Sequence, residues 1–108
     1  MKVTIVIFMS DAPPPRNHPL TLADVQAYIR RRYYSSDSAR GTPGTFMWFI
    51  EEVGELSTAL QRGNHDEMTE EFADVLAWLT TLANINDVDL TAAFETKYLT
   101  GGGPEGHK

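Results

Sequence analysis

Cysteine is absent from the chain, so neither a disulfide nor a thiolate metal site can form, and the redox compartment stays undetermined. Long apolar runs are absent as well. No stretch approaches the roughly 20 residues a membrane helix needs. Positive charge is scarce, with 9 Lys and Arg against 15 Asp and Glu and a formal net charge of −6. That balance argues against a nucleic-acid binder, because no basic excess exists to neutralise phosphates. An anionic small molecule remains open, since a bound divalent cation would reverse the local field. What is present is one small domain's worth of sequence: 108 residues, 42% hydrophobic. Helical chains of this length often complete their core by oligomerising.

The opening Met1-Lys2-Val3-Thr4-Ile5-Val6-Ile7-Phe8-Met9 superficially suggests a signal peptide, but its apolar core is at the short limit, it carries one Lys and no small-x-small site follows before the prolines. The protein is therefore read as cytoplasmic. Residues 3–8 suit a strand, yet a lone strand has nothing to pair with in a helical chain. It is either an assembly edge or the product of a start placed too early, with Met9 as the initiator; the second reading is favoured. Residues 1–19, with four of the six prolines, form an extended lead-in. Residues 20–99 form the helical domain, and 100–108 a flexible tail.

Thr21 with Asp24 is an approximate capping box for a first helix carrying Leu22, Val25, Ile29 and Tyr33 on one stripe. Ser35 to Gly44 is expected to break it. Thr42-Pro43 then caps a second helix lasting to Arg62, with Gly63 as its left-handed stop. Asn64 with Glu67 opens a third helix to about Asn84. Asn86-Asp87 turns the chain, Asp89 caps a short fourth helix to about Tyr98, and Gly101-Gly102-Gly103-Pro104 ends it. The fold class expected is all-α.

Two of these helices are acidic. On the second, Phe46, Phe49, Ile50, Val53, Leu56 and Leu60 form a core stripe, and Glu51, Glu52 and Glu55 fall almost opposite it. On the third, Phe72, Val75, Leu76, Leu79, Leu82 and Ala83 form the stripe, while Glu67, Glu71, Asp74 and Trp78 lie to one side. A hairpin through Gly63-Asn64 sets Glu55 and Glu71 at comparable heights, so the two acidic sectors can face each other. Carboxylates opposite an apolar stripe are ordinarily a solvated face. Three features count against that here: like charges at i,i+4 in Glu51 and Glu55, few cations placed to relieve them, and indoles, Trp48 and Trp78, on the acidic sector. Five oxygen donors without a neighbouring His or Cys suit a hard cation, Mg²⁺ or Mn²⁺. A helical di-iron site would need Glu-x-x-His pairs, and His18, His65 and His107 supply none.

Glu51-Glu52-x-x-Glu55, a fifteen-residue spacer and Glu71-x-x-Asp74 resemble the signature of the MazG-like nucleoside triphosphate pyrophosphohydrolases. The resemblance runs from about Leu20 to Tyr98 and includes Asp37-Ser38-Ala39-Arg40-Gly41, Phe46-Met47-Trp48 and Lys97-Tyr98. It implies a four-helix fold of the small single-domain type, completed between chains as a dimer or tetramer. It further implies hydrolysis of a (deoxy)nucleoside triphosphate to the monophosphate and pyrophosphate. Glu51, Glu52, Glu55, Glu71 and Asp74 would hold Mg²⁺ and carry catalysis, and Lys97 would contact phosphate. Some members carry an Asn and an Arg shortly after that Lys. Here glycines follow, so Arg40 or Arg62 becomes a candidate for the missing charge.

Trp48 either stacks a nucleobase or packs an interface. Arg30-Arg31-Arg32-Tyr33-Tyr34, placed at the end of the first helix, reads as complementing the helix dipole rather than as a nucleic-acid patch. Two alternatives stand beside the pyrophosphohydrolase: action on another phosphoanhydride, such as a phosphoribosyl-nucleotide, and a helical interaction module with little turnover.

Overall fold

A computed structural model describes residues 15–105. The strand, the Met9 start, most of the proline-rich lead-in and the end of the tail fall outside those residues. Every regular element described is helical: α1 (Leu22–Arg62), α2 (His65–Ile85), α3 (Leu90–Phe94) and a π-helical segment, Glu95–Thr100, that continues α3.

Helix α1 begins where its side chains dictate. Thr21 accepts from the Asp24 amide while Asp24 accepts from the Thr21 amide, which closes a capping box. His18 leans on the same Asp24 carboxylate at 2.9 Å. The expected break over Ser35–Gly44 does not occur at that length. Residues 35–40 are helical, and only Gly41 leaves helical geometry, at φ 80° and ψ 174°. Ser36 and Ser38 satisfy their hydroxyls on carbonyls three residues back, to Tyr33 and Ser35. Asp37 is buried and ion-pairs with Arg40 at 2.9 Å. These bonds keep a stretch of poor helix formers helical. At Gly41 the chain takes a conformation that few residues other than glycine adopt. Pro43, which lacks an N–H, is tolerated because it stands in the first turn after that break.

The kink lets both segments of α1 reach the C-terminal end of α2. Before it, Asn84 donates to the Gln26 carbonyl and Arg30 donates to the Asn84 carbonyl. After it, Asn86 donates to Thr42 Oγ1 at 3.1 Å. Arg30-Arg31-Arg32 therefore stands inside a helix rather than at its end, which corrects the dipole reading. Arg30 instead places its charge on the last turn of α2 and over the Tyr34 ring, and Arg31 and Arg32 lie over tyrosine rings of the same segment. Gly63 (φ 70°) stops α1, and Asn64 caps α2 through the Glu67 amide. Asp89 caps α3 in the same way through the Ala92 amide. Gln26 then ties α3 to α1, donating to the Val88 carbonyl and accepting from the Leu90 amide.

The interior of the hairpin is the main departure from expectation. Thr45, Glu52 and Ala59 of α1 are buried there, as are Glu71, Trp78, Thr80 and Thr81 of α2. Much of the apolar stripe lies outside it: Phe46, Ile50, Val53 and Leu60 on α1, with Phe72, Leu76 and Leu79 on α2, are exposed. Apart from Trp78, these buried positions are small or polar, and many of the larger apolar side chains are left on the outer face.

Candidate metal centre

Helical spacing puts Glu52 and Glu55 one turn apart on α1, and Glu71 with Asp74 one turn apart on α2. The antiparallel hairpin then brings three of them together. Glu52, Glu55 and Glu71 each present a carboxylate oxygen within 4.8 Å of the others. Glu52 is 0% exposed, and neither of its oxygens has a hydrogen-bond donor; Glu55 Oε2 is likewise buried without one. A carboxylate stripped of water and given no donor is costly to keep charged. Burial above all, then the charges of Glu55, Asp74 and Glu71, pushes Glu52 up to about 7. Burial and the Glu71 charge push Glu55 up as well.

Such a set fits a divalent cation. Hard cations take carboxylate oxygens as ligands, and a positive charge would both relieve the mutual repulsion and satisfy the orphaned oxygens. Histidine and thiolate donors are missing from the cluster, which disfavours zinc and other softer metals.

The other predicted residues are placed unevenly. Asp74 is half-buried and close enough for its charge to raise Glu52. Glu51 is half-buried and stands outside the three that converge. Trp48 is half-buried on α1. Arg40 is engaged within the fold: it donates to Asp37 at 2.9 Å and to Thr45 Oγ1 at 3.1 Å, with its guanidinium 5.0 Å from the centre of the Trp78 ring. It thereby spans the Gly41 kink. Lys97 is exposed on the π-helical segment, with its ammonium over the Tyr98 ring.

The glycines after Lys97 have a local explanation. Gly101 and Gly103 donate to the Thr96 and Lys97 carbonyls and close the last turn. At Gly103 (φ 72°) a Cβ would meet the Tyr98 ring at 2.7 Å. Asp37 stood within the Asp37-Ser38-Ala39-Arg40-Gly41 run of the resemblance, but its burial against Thr81, and the place of Thr45 beside Arg40, were missed by sequence reading because that stretch was read as irregular.

Residues 42–98 match the family described as the MazG nucleotide pyrophosphohydrolase domain. The chain belongs to that family. It is also 38% identical over 79 residues to the dATP/dGTP diphosphohydrolase of Cyanophage S-2L, an alignment covering 73% of this chain and 71% of that protein. The family match takes in Glu52, Glu55 and Glu71, and with that relative it makes this MazG chain an enzyme, a hydrolase of nucleotide phosphoanhydride bonds.

Proposed function

We propose that the chain cleaves a (deoxy)nucleoside triphosphate between the α- and β-phosphorus, releasing the monophosphate and pyrophosphate in a Mg²⁺-dependent reaction that Mn²⁺ also supports. The observation that carries this reading is the convergence of Glu52, Glu55 and Glu71, with buried oxygens on Glu52 and Glu55 that lack donors. Magnesium favours carboxylates on one side and substrate phosphates on the other. When bound, the cation supplies Lewis acidity toward the phosphoryl oxygens and neutralises charge.

The chain's own residues do the rest. Glu52, Glu55 and Glu71 hold the cation, with Glu51 and Asp74 completing the acidic cradle. A carboxylate of that set left outside the ligand shell accepts the proton of the attacking water. Lys97 contacts phosphate, Arg40 contributes charge from across the kink, and Trp48 offers a face to the base. Relatedness to a dATP/dGTP diphosphohydrolase makes purine deoxynucleotides the first substrates to try. The exposed apolar face of α1 and α2 favours a homo-oligomer, a dimer or tetramer in which helices of two chains complete a four-helix arrangement. No helix among the described residues is long and apolar enough to cross a membrane. We place the enzyme in the cytoplasm, acting on free nucleotides rather than nucleic acid.

The test is pyrophosphate release from a panel of NTPs and dNTPs with Mg²⁺ and with excess chelator. Release from at least one nucleotide, lost on chelation, is expected. Absence of metal-dependent release from every member would overturn the assignment.

A further inference from the structure

We propose that Arg62 is a further phosphate-positioning residue of this site, holding the pyrophosphate end of the substrate from within the same chain, beside the Lys97 contact. The inference rests on the reading of the carboxylate cluster as a pyrophosphohydrolase centre.

A cavity of about 310 Å³ opens at the turn end of the hairpin, lined by Glu55 and Glu71 of the cluster and by Ala59, Arg62, Glu67 and Glu70. It is bordered by two of the three converging carboxylates, and Arg62 is the one basic side chain among the described residues that line it. The other described cations lie outside the lining of this cavity. Arg30, Arg31 and Arg32 lie over tyrosine rings of the first segment of α1, Arg40 is held by Asp37 and Thr45, and Lys97 lies over Tyr98. Arg16 lines a separate cavity against the start of α1.

Arg62 stands seven residues after Glu55, two helical turns along the same face and about 10.5 Å of axis. A diphosphate held at the cluster would have this interval in which to extend toward the guanidinium. The residue is also free to turn. Its contact with Glu67 is long, at 3.7 Å, and its side chain is 66% exposed, so the pair is weak and readily exchanged. A phosphate offers the guanidinium a doubly charged, bidentate partner in place of one distant carboxylate oxygen. Glu67 therefore holds Arg62 at the rim of the cavity in the substrate-free enzyme and yields it to the nucleotide.

The experiment measures binding of Mg²⁺-pyrophosphate by calorimetry, alongside steady-state hydrolysis of the best nucleotide, in wild type, R62A, R62K, E67Q and R31A. Arg31, exposed on the first segment of α1, controls for the loss of one positive charge at a distance. We expect R62A to weaken pyrophosphate binding about tenfold or more and to lower kcat/KM similarly. R62K should recover part of both, E67Q should bind at least as tightly as wild type, and R31A should be unchanged. Equal pyrophosphate affinity in wild type and R62A overturns the proposal while leaving the enzyme assignment intact. So does equal loss in R62A and E67Q, the mark of a structural ion pair, or equal loss in R62A and R31A. A wild type that binds Mg²⁺-pyrophosphate through Arg62 yet hydrolyses no nucleotide would sustain the anion site and overturn the reaction instead.

Discussion

At the scale of single residues, Glu52 carries the greatest cost of ionisation in the candidate site. It is the most buried of the carboxylates and the one whose ionisation the fold opposes most, raised from 4.5 to about 7. The folded protein therefore binds more protons at this site than the unfolded chain does between those values. Metal-free stability must fall as pH rises from about 4.5 through about 7, because the unfolded state is the one that ionises readily. Glu55, raised for the same reason, adds to the fall. Thermal melts in chelator should show Tm dropping across that window, and Mg²⁺ should remove the drop by binding the ionised cluster. Glu52→Gln should flatten the metal-free profile, lose the Mg²⁺ effect and reduce turnover by about 100-fold or more. A profile that instead rises with pH in chelator would mean that these carboxylates are not forced together.

At the scale of elements, the end signals were legible and the middle of α1 was not. Thr21/Asp24, Asn64 and Asp89 accept from amides a few residues away and Gly63 donates to the Ala59 and Leu60 carbonyls, so the sequence around them contains all the partners. Residues 35–40 look like a loop because serine and aspartate favour turns locally. Their helical state depends on Arg40 and on α2, which local propensity does not see. The facing of the acidic sectors followed from period and hairpin length. The exposure of the apolar stripe did not, because a helical period shows which residues share a face without showing what covers it. Gly41 is the joint on which the arrangement turns. A Cβ there would make only ordinary contact with Pro43, so the cost of Gly41→Ala is backbone strain alone. We expect a loss of about 1–3 kcal/mol in urea unfolding. A loss under about 0.5 kcal/mol, the range of an ordinary surface change, would show that the kink relaxes freely.

For the whole molecule, a single hairpin leaves too much apolar surface in water. Phe46, Ile50 and Phe72 are each about half exposed, at 49%, 48% and 55%. Covering side chains of this size is worth roughly 1 kcal/mol or more apiece. The proposed homo-oligomer is the arrangement that would cover them. Phe72→Glu should shift the protein toward monomer in sedimentation equilibrium, and an unchanged mass would place the interface elsewhere. The central claim concerns which bond is cut, and ³¹P NMR of the products reads it directly. With Mg²⁺ and dATP, dGTP or the best substrate of the panel, the account predicts nucleoside monophosphate and pyrophosphate in equal amounts, abolished by chelator and by Glu52→Gln. Orthophosphate with the nucleoside diphosphate as products, or pyrophosphate release that persists in Glu52→Gln, would contradict it.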